Sequence, residues 1–274
     1  MTSNEHDEQP DQGQQGRSVQ QLDHPVGVTV LDQLARTVAE RPGTNALVDV
    51  GRTFTYEALN EVVETVARGL VTFGVQPGDR VAVALACRAD AVLLILGTLR
   101  AGAVAVPVDV ACPDDRTTQI LLDADARLLV TDDERAPALL ALLADQQTPG
   151  PDRTWHVCCA GDVVGAVGDH LPSLPSPDDV AYLVYTSGTT GTPTGVEVPH
   201  SALVTVLAQH EAMIGGPARA RTTTSDEAPL PLTLLVSGLG LDSQAQRASH
   251  PTRSSVTSSP SSATSSLIAP RPSR

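Results

Sequence analysis

Apolar residues along the chain fall into helical and strand spacings that alternate from Val28 to Ile214. Val30, Leu31, Leu34 and Val38 recur at helical spacing until Pro42 and Gly43 interrupt them, which predicts a first helix. A short β pair is expected over 46–50 and 53–55, turning around Gly51 and Arg52. The next helix spans Tyr56 to Phe73. Thr55 is its N-cap, Leu59, Val62, Val63, Val66, Leu70 and Phe73 form its apolar stripe, and Gly74 stops it. Beyond the turn at Pro77, Gly78 and Asp79 the expected order is strand 81–86, helix 90–99 stopped by Gly102, strand 104–108 and helix 114–122. Strand 127–130 and helix 138–143 follow. After a connector rich in Pro and Asp (171–179), strand 181–185 runs into a Gly/Thr loop, then strand 196–198 and a helix over 201–214.

Continuously apolar strands alternating with amphipathic helices predict an α/β fold, a mostly parallel sheet with helices on both faces. This unit is expected over 26–216. Residues 1–25 are rich in Gln, Asp and Gly and nearly free of large apolar side chains, so they are expected to form a disordered acidic leader. Past Gly216 the text changes. Residues 217–274 have no aromatic, six Arg against three acidic residues, and nine Ser among the 24 residues from Pro251 onward. The expectation there is a low-complexity Ser/Pro/Arg tail in which only 230–241 has the make-up of an ordered piece.

With 274 residues, 41% of them hydrophobic, the chain can bury a sizeable core, and its six aromatics all lie between 54 and 185, which localises that core. A formal charge of −14, with 32 acidic side chains against 18 basic, argues against nucleic acid as a partner. All 18 cations are arginines, so a mechanism needing lysine is excluded for this chain acting alone. The four cysteines include no C-x-x-C pair, and the polar, acidic start has no signal-peptide pattern. The apolar stretch 81–108 is broken by Arg88, Asp90 and Arg100, well short of the ~20 uncharged residues of a membrane helix. The expected setting is cytoplasmic and reducing, without a membrane partner.

The stretch from Thr186 to Gly195 carries the candidate chemistry. A strand leads into a segment dense in backbone N–H groups that glycine can aim freely, with hydroxyls beside them, an arrangement suited to phosphate oxygens. An ordinary flexible turn has the same composition. Pro193 stands five residues after Gly188, and neither Gly-Lys-Ser/Thr nor G-x-G-x-x-G occurs, so this is no Walker loop.

The order of residues is more specific. Ala181-Tyr182-Leu183-Val184-Tyr185-Thr186-Ser187-Gly188-Thr189-Thr190-Gly191-Thr192-Pro193-Thr194-Gly195-Val196 closely resembles the phosphate-loop signature of the adenylate-forming superfamily, in the form found in nonribosomal peptide synthetase adenylation domains. Phe54-Thr55-Tyr56-Glu57-Ala58-Leu59-Asn60 resembles that family's "TYxEL" helix start. The segment from Leu99 to Asp109 resembles its "LKAGxxxVPLD" strand, and Pro113 to Arg116 looks like the amino-acid-activating branch. The resemblance covers roughly 26–214. It implies that the fold is the N-terminal portion of the large adenylation domain and that Thr186, Ser187, Gly188, Thr189, Thr190, Gly191, Thr192, Thr194 and Gly195 contact the phosphates of ATP, with Mg²⁺ balancing their charge. It further implies an amino or carboxylic acid substrate joined to AMP with release of pyrophosphate, and a phosphopantetheine carrier protein as acceptor.

Other residues have structural readings. Tyr56 packs a helix start, Gly102 is a helix stop, Pro107 is a strand-edge device, and His200, which fits the family pattern after the loop, reads as structural. His156, Cys158 and Cys159 occupy alternate and adjacent positions of a strand and cannot converge on one ion, so no metal ligand is assigned. No catalytic residue is assigned either.

Two departures from the family pattern matter. The lysine expected between the proline and the last glycine of the loop is Thr194. The segments that in the family line the acid pocket, grip the adenine, and supply the small C-terminal domain with its catalytic lysine have no counterpart here. The expectation is therefore a truncated ligase whose C-terminal small domain is absent, with out-of-frame text after Gly216. The alternative is a catalytically silent fragment that holds nucleotide or docks on a partner. A generic flavodoxin-like binding domain is a third reading, disfavoured because the loop follows the last strand.

Overall fold

The computed structural model describes residues 27–49, 51–86, 88–145, 156–166, 168–186 and 193–214. The leader (1–25), the tail (217–274), Cys87, Trp155 and the loop positions Ser187 to Thr192 lie outside the described residues.

Helix α1 (Val30–Glu40) begins in a reciprocal cap: Asp32 N–H donates to the Thr29 hydroxyl, and Thr29 N–H donates back to the Asp32 carboxylate at 2.7 Å. The antiparallel pair β1 (Asn45–Asp49) and β2 (Arg52–Thr55) turns at Gly51, whose φ of 75° explains the glycine. Helix α2 (Tyr56–Thr72) is capped by the Thr55 hydroxyl, which accepts from Ala58 N–H, and stops before Gly74 at φ 83°. Then come β3 (Arg80–Ala84), α3 (Arg88–Arg100), β4 (Val104–Pro107), α4 (Asp114–Asp123), β5 (Leu128–Thr131), α5 (Ala136–Asp145), β6 (His156–Cys159), α6 (Ala160–Gly165), β7 (Val180–Thr186), β8 (Thr194–Pro199) and α7 (His200–Ile214).

The main sheet has the order β6-β5-β3-β4-β7-β8 and is parallel except for the β7–β8 hairpin. From β3 the chain crosses to β4 in one direction, then returns past β3 to β5 and β6. Right-handed crossovers therefore place α3 on one face and α4 and α5 on the other. The burial pattern agrees. Val81 and Val83 join α1, α2, α3, α6 and α7 in one core, while Ala82 and Ala84 join Ile120, Leu121, Leu139 and Leu143 in the second. Two close approaches fix the first layer: a Cβ on Gly97 would lie 2.2 Å from Val66 Cγ1, and one on Gly69 would lie 1.9 Å from the Val163 carbonyl oxygen.

The predicted mostly parallel sheet with helices on both faces is the observed architecture, with end points shifted by a few residues. Helix α6 was not anticipated. It is six residues long with glycine at 161 and 165, too short to show a period, and Cys159 N–H donating to Asp162 marks its start. Pro107 also needs correction: it is the last residue of β4, which is flanked by β3 and β7, so it ends an interior strand and lies on no sheet edge. No helix among the described residues is long and apolar enough to cross a membrane.

Candidate phosphate-binding loop

Strand β7 runs parallel to β4 and so delivers Thr186 to the carboxyl edge of the sheet, where ligands of open α/β sheets gather. Strand β8 returns antiparallel, and the last backbone pair before the loop is Thr186 with Thr194. The structure thus brings Thr186, Thr194 and Gly195 to one hairpin stem. Of the nine candidate positions, the six from Ser187 to Thr192 lie outside the described residues.

The stem below Thr186 and Thr194 is built by Tyr185 and Gly195, which face each other across the ladder. A Cβ on Gly195 would stand 2.9 Å from Leu183 Cδ1 and 3.2 Å from both Cζ and the hydroxyl oxygen of Tyr185. The aromatic ring therefore occupies the space a side chain would need. Its hydroxyl donates to Asp123 Oδ2 at 2.6 Å, joining the stem to the last residue of α4. Burial first, and then the hydrogen bond and charge of Asp123, push the Tyr185 phenol well above its ordinary value, with Arg80 opposing. The phenol is neutral and stays a donor. Pro193 is buried and Thr194 exposed.

The connections beside the loop are braced from the same edge. Arg135, just before α5, donates to the carbonyls of Val110 and Cys112 and to Asp114 Oδ1, so the β4–α4 connection is held from β5. Asp132 Oδ2 accepts from Ala86 N–H at 3.0 Å and Asp109 Oδ1 from Ala111 N–H at 2.8 Å. Sequence reading passed over Asp123 and Arg135. Each carried a signal: a carboxylate at a helix C-terminus and a guanidinium at a helix N-terminus both oppose the helix dipole, which points to a tertiary partner.

The remaining singled-out residues lie elsewhere. Tyr56 is buried in the first core, and Gly102 takes φ 72° after α3. His200 is 1% exposed at the start of α7, its backbone N–H donates to the Asp179 carbonyl, and burial lowers its pKa against the pull of Asp179 and Asp32. Cys158 and Cys159 are pushed up to about 12, in both cases first by burial, so their thiols are poor nucleophiles. Among the described residues no group of three or more His, Cys, Asp or Glu is placed to hold a metal ion. A cleft of about 330 Å³ lined by Arg80, Gly102, Asp179 and Glu197 sits at the amino ends of β3, β4 and β7, the edge opposite the loop.

Residues 34–234 match the family described as AMP-binding enzyme. The chain is 32% identical over 213 residues to vanchrobactin synthetase VabF of Vibrio anguillarum, covering 76% of this chain and 7% of that protein. Among solved structures it is similar to VinN, with a TM-score of 0.59 and 28% identity over 69% of this chain and 50% of that one. It is also similar to the nonribosomal peptide synthetase FmoA3 in its α-methyl-L-serine-AMP bound form, with a TM-score of 0.58 and 25% identity over 69% of this chain and 20% of that one. The chain thus spans half or less of the length of these relatives. With the matched family covering most of the sequence, this chain belongs to the AMP-binding, adenylate-forming enzymes.

Proposed function

We propose that the loop from Thr186 to Gly195 receives the β and γ phosphates of ATP for an adenylating ligase of the nonribosomal peptide synthesis type. In that reaction a carboxylate oxygen of an amino or other carboxylic acid bonds to the α-phosphorus and pyrophosphate leaves. The acyl-AMP then passes its acyl group to the thiol of a phosphopantetheine carrier protein. The observation that carries this reading is the hairpin stem at the carboxyl edge, which presents Thr186 and Thr194 side by side with the Gly/Thr segment between them.

The donors fit a phosphate group and are neutral. The hydroxyls of Thr186, Ser187, Thr189, Thr190, Thr192 and Thr194 and the backbone amides supply hydrogen bonds, while no residue from 186 to 195 carries a cation. Mg²⁺ would neutralise phosphate charge when bound with ATP. This chain's own part is to orient the phosphates. Loss of the charge-assisted contact at position 194 weakens nucleotide binding by about 1.5 to 3 kcal/mol relative to a loop with lysine there.

The test is equilibrium titration of the 274-residue chain with Mg·ATP. Saturable binding displaced by pyrophosphate but not by adenosine is expected, and binding that adenosine displaces and pyrophosphate does not would defeat the reading. A second reading, nucleotide held without catalysis, is favoured by the absence of lysine from the sequence. Acid-dependent exchange of pyrophosphate into ATP separates the two. Exchange by the purified chain supports catalysis, and binding without exchange supports the silent form.

A further inference from the structure

We infer that Tyr185 and Asp123 are positioning residues: their hydrogen bond, with the Tyr185 ring laid over Gly195, fixes the hairpin stem from which the phosphate-binding loop leaves the sheet. The inference rests on the reading of that loop given above.

Three observations converge on it. First, Tyr185 and Gly195 form the ladder pair one step inside Thr186 and Thr194, so any rotation of the stem at this pair is passed directly to the loop ends. Second, Gly195 has room for hydrogen only, because the Tyr185 ring and Leu183 fill the place of a Cβ. An aromatic ring covering a cross-strand glycine restores the packing that glycine lacks. Third, the ring is tethered at its far end. The 2.6 Å bond to Asp123 reaches across 62 residues of sequence to α4, a helix of the second core layer. A second side-chain tie, from Arg80 to Glu197 at 3.2 Å, joins the stem to β3 at the opposite end of the hairpin, away from the loop. Tyr185 therefore sets the stem's orientation, and Asp123 sets Tyr185.

The test compares Tyr185→Phe, Asp123→Ala and the double variant by two readouts, backbone amide exchange of the peptide spanning 186–195 in the nucleotide-free protein, and the dissociation constant for Mg·ATP. Each single variant is expected to speed exchange in that peptide and to weaken ATP about five- to tenfold, the worth of one ordinary hydrogen bond, while the double variant does no more than either single. Exchange in core peptides such as that of β3 should stay unchanged. Additive effects of the two substitutions, or unchanged exchange in 186–195, would overturn the inference. If the unsubstituted chain binds no ATP, the phosphate reading fails, and the exchange comparison still decides whether this pair fixes the stem.

Discussion

The guanidinium of Arg135 stands 2.6 Å from the carboxylate of Asp114, and the same side chain donates to the carbonyls of Val110 and Cys112. One residue ahead of α5 thus holds the connection after β4, two strands away from its own strand β5. Arg135→Ala removes a forked donor from two carbonyls and a carboxylate, and a loss of about 2 kcal/mol in unfolding free energy is expected by chemical denaturation. Lysine at this position should recover less than half, because an ammonium cannot reproduce the planar fork. Full recovery by lysine would show that charge alone matters.

Gly97 and Gly43 form a matched pair of tests. At Gly97 a methyl would collide with Val66 between α3 and α2, and Gly97→Ala is expected to cost about 1–3 kcal/mol as the helices are pushed apart. At Gly43 a methyl meets nothing within 4 Å, and Gly43→Ala is expected to be neutral within about 0.5 kcal/mol. Thermal unfolding of the two variants reads the difference.

His200 gives a pH dependence with a definite sign. Burial holds its folded pKa below the ordinary 6.5, so the unfolded chain takes up more protons as the solution is acidified. Its contribution is complete above 6.5 and is lost as pH falls from there through the depressed value. The carboxylates of Asp179 and Asp32 reduce this loss without reversing it. Denaturation midpoints from pH 8 to 5 should fall more steeply for the natural chain than for His200→Asn, and equal slopes would remove His200 from the account.

The thiols of Cys158 and Cys159, both raised to about 12, should be almost wholly protonated at pH 8, with about one in ten thousand as thiolate. Iodoacetamide should label both far more slowly than it labels glutathione, as read by site-resolved mass spectrometry. Labelling as fast as free glutathione would mean the sheet edge at β6 opens readily.

Much of the fold was legible because its strands are uninterrupted apolar runs and its helices have marked ends. Thr55 before α2 and Gly74 after it are both where the sequence places them. The split into two cores was not legible in that apolar run: only the structure shows Val81 and Val83 facing one core and Ala82 and Ala84 the other. Helix α6 was hidden by its length, and the interior place of Pro107 by the crossover from β6 back to β7 beside β4, which no local pattern encodes. At the candidate site the loop's residue order was informative, and the stem was not. Asp123 and Tyr185 are far apart in sequence, and Gly195 reads as one more loop glycine until the ring above it is seen.

Phosphate binding by the segment from Thr186 to Gly195 is tested most directly by the Mg·ATP dissociation constant of Thr194→Lys across a series of salt concentrations. Position 194 is exposed at the start of β8, opposite Thr186, so a cation placed there can reach a bound phosphate without disturbing the core. The predicted result is binding tightened about ten- to hundredfold at low salt, the gain shrinking as salt is raised. An affinity unchanged by the substitution at every salt concentration would contradict phosphate binding and leave the segment from Thr186 to Gly195 as an ordinary turn.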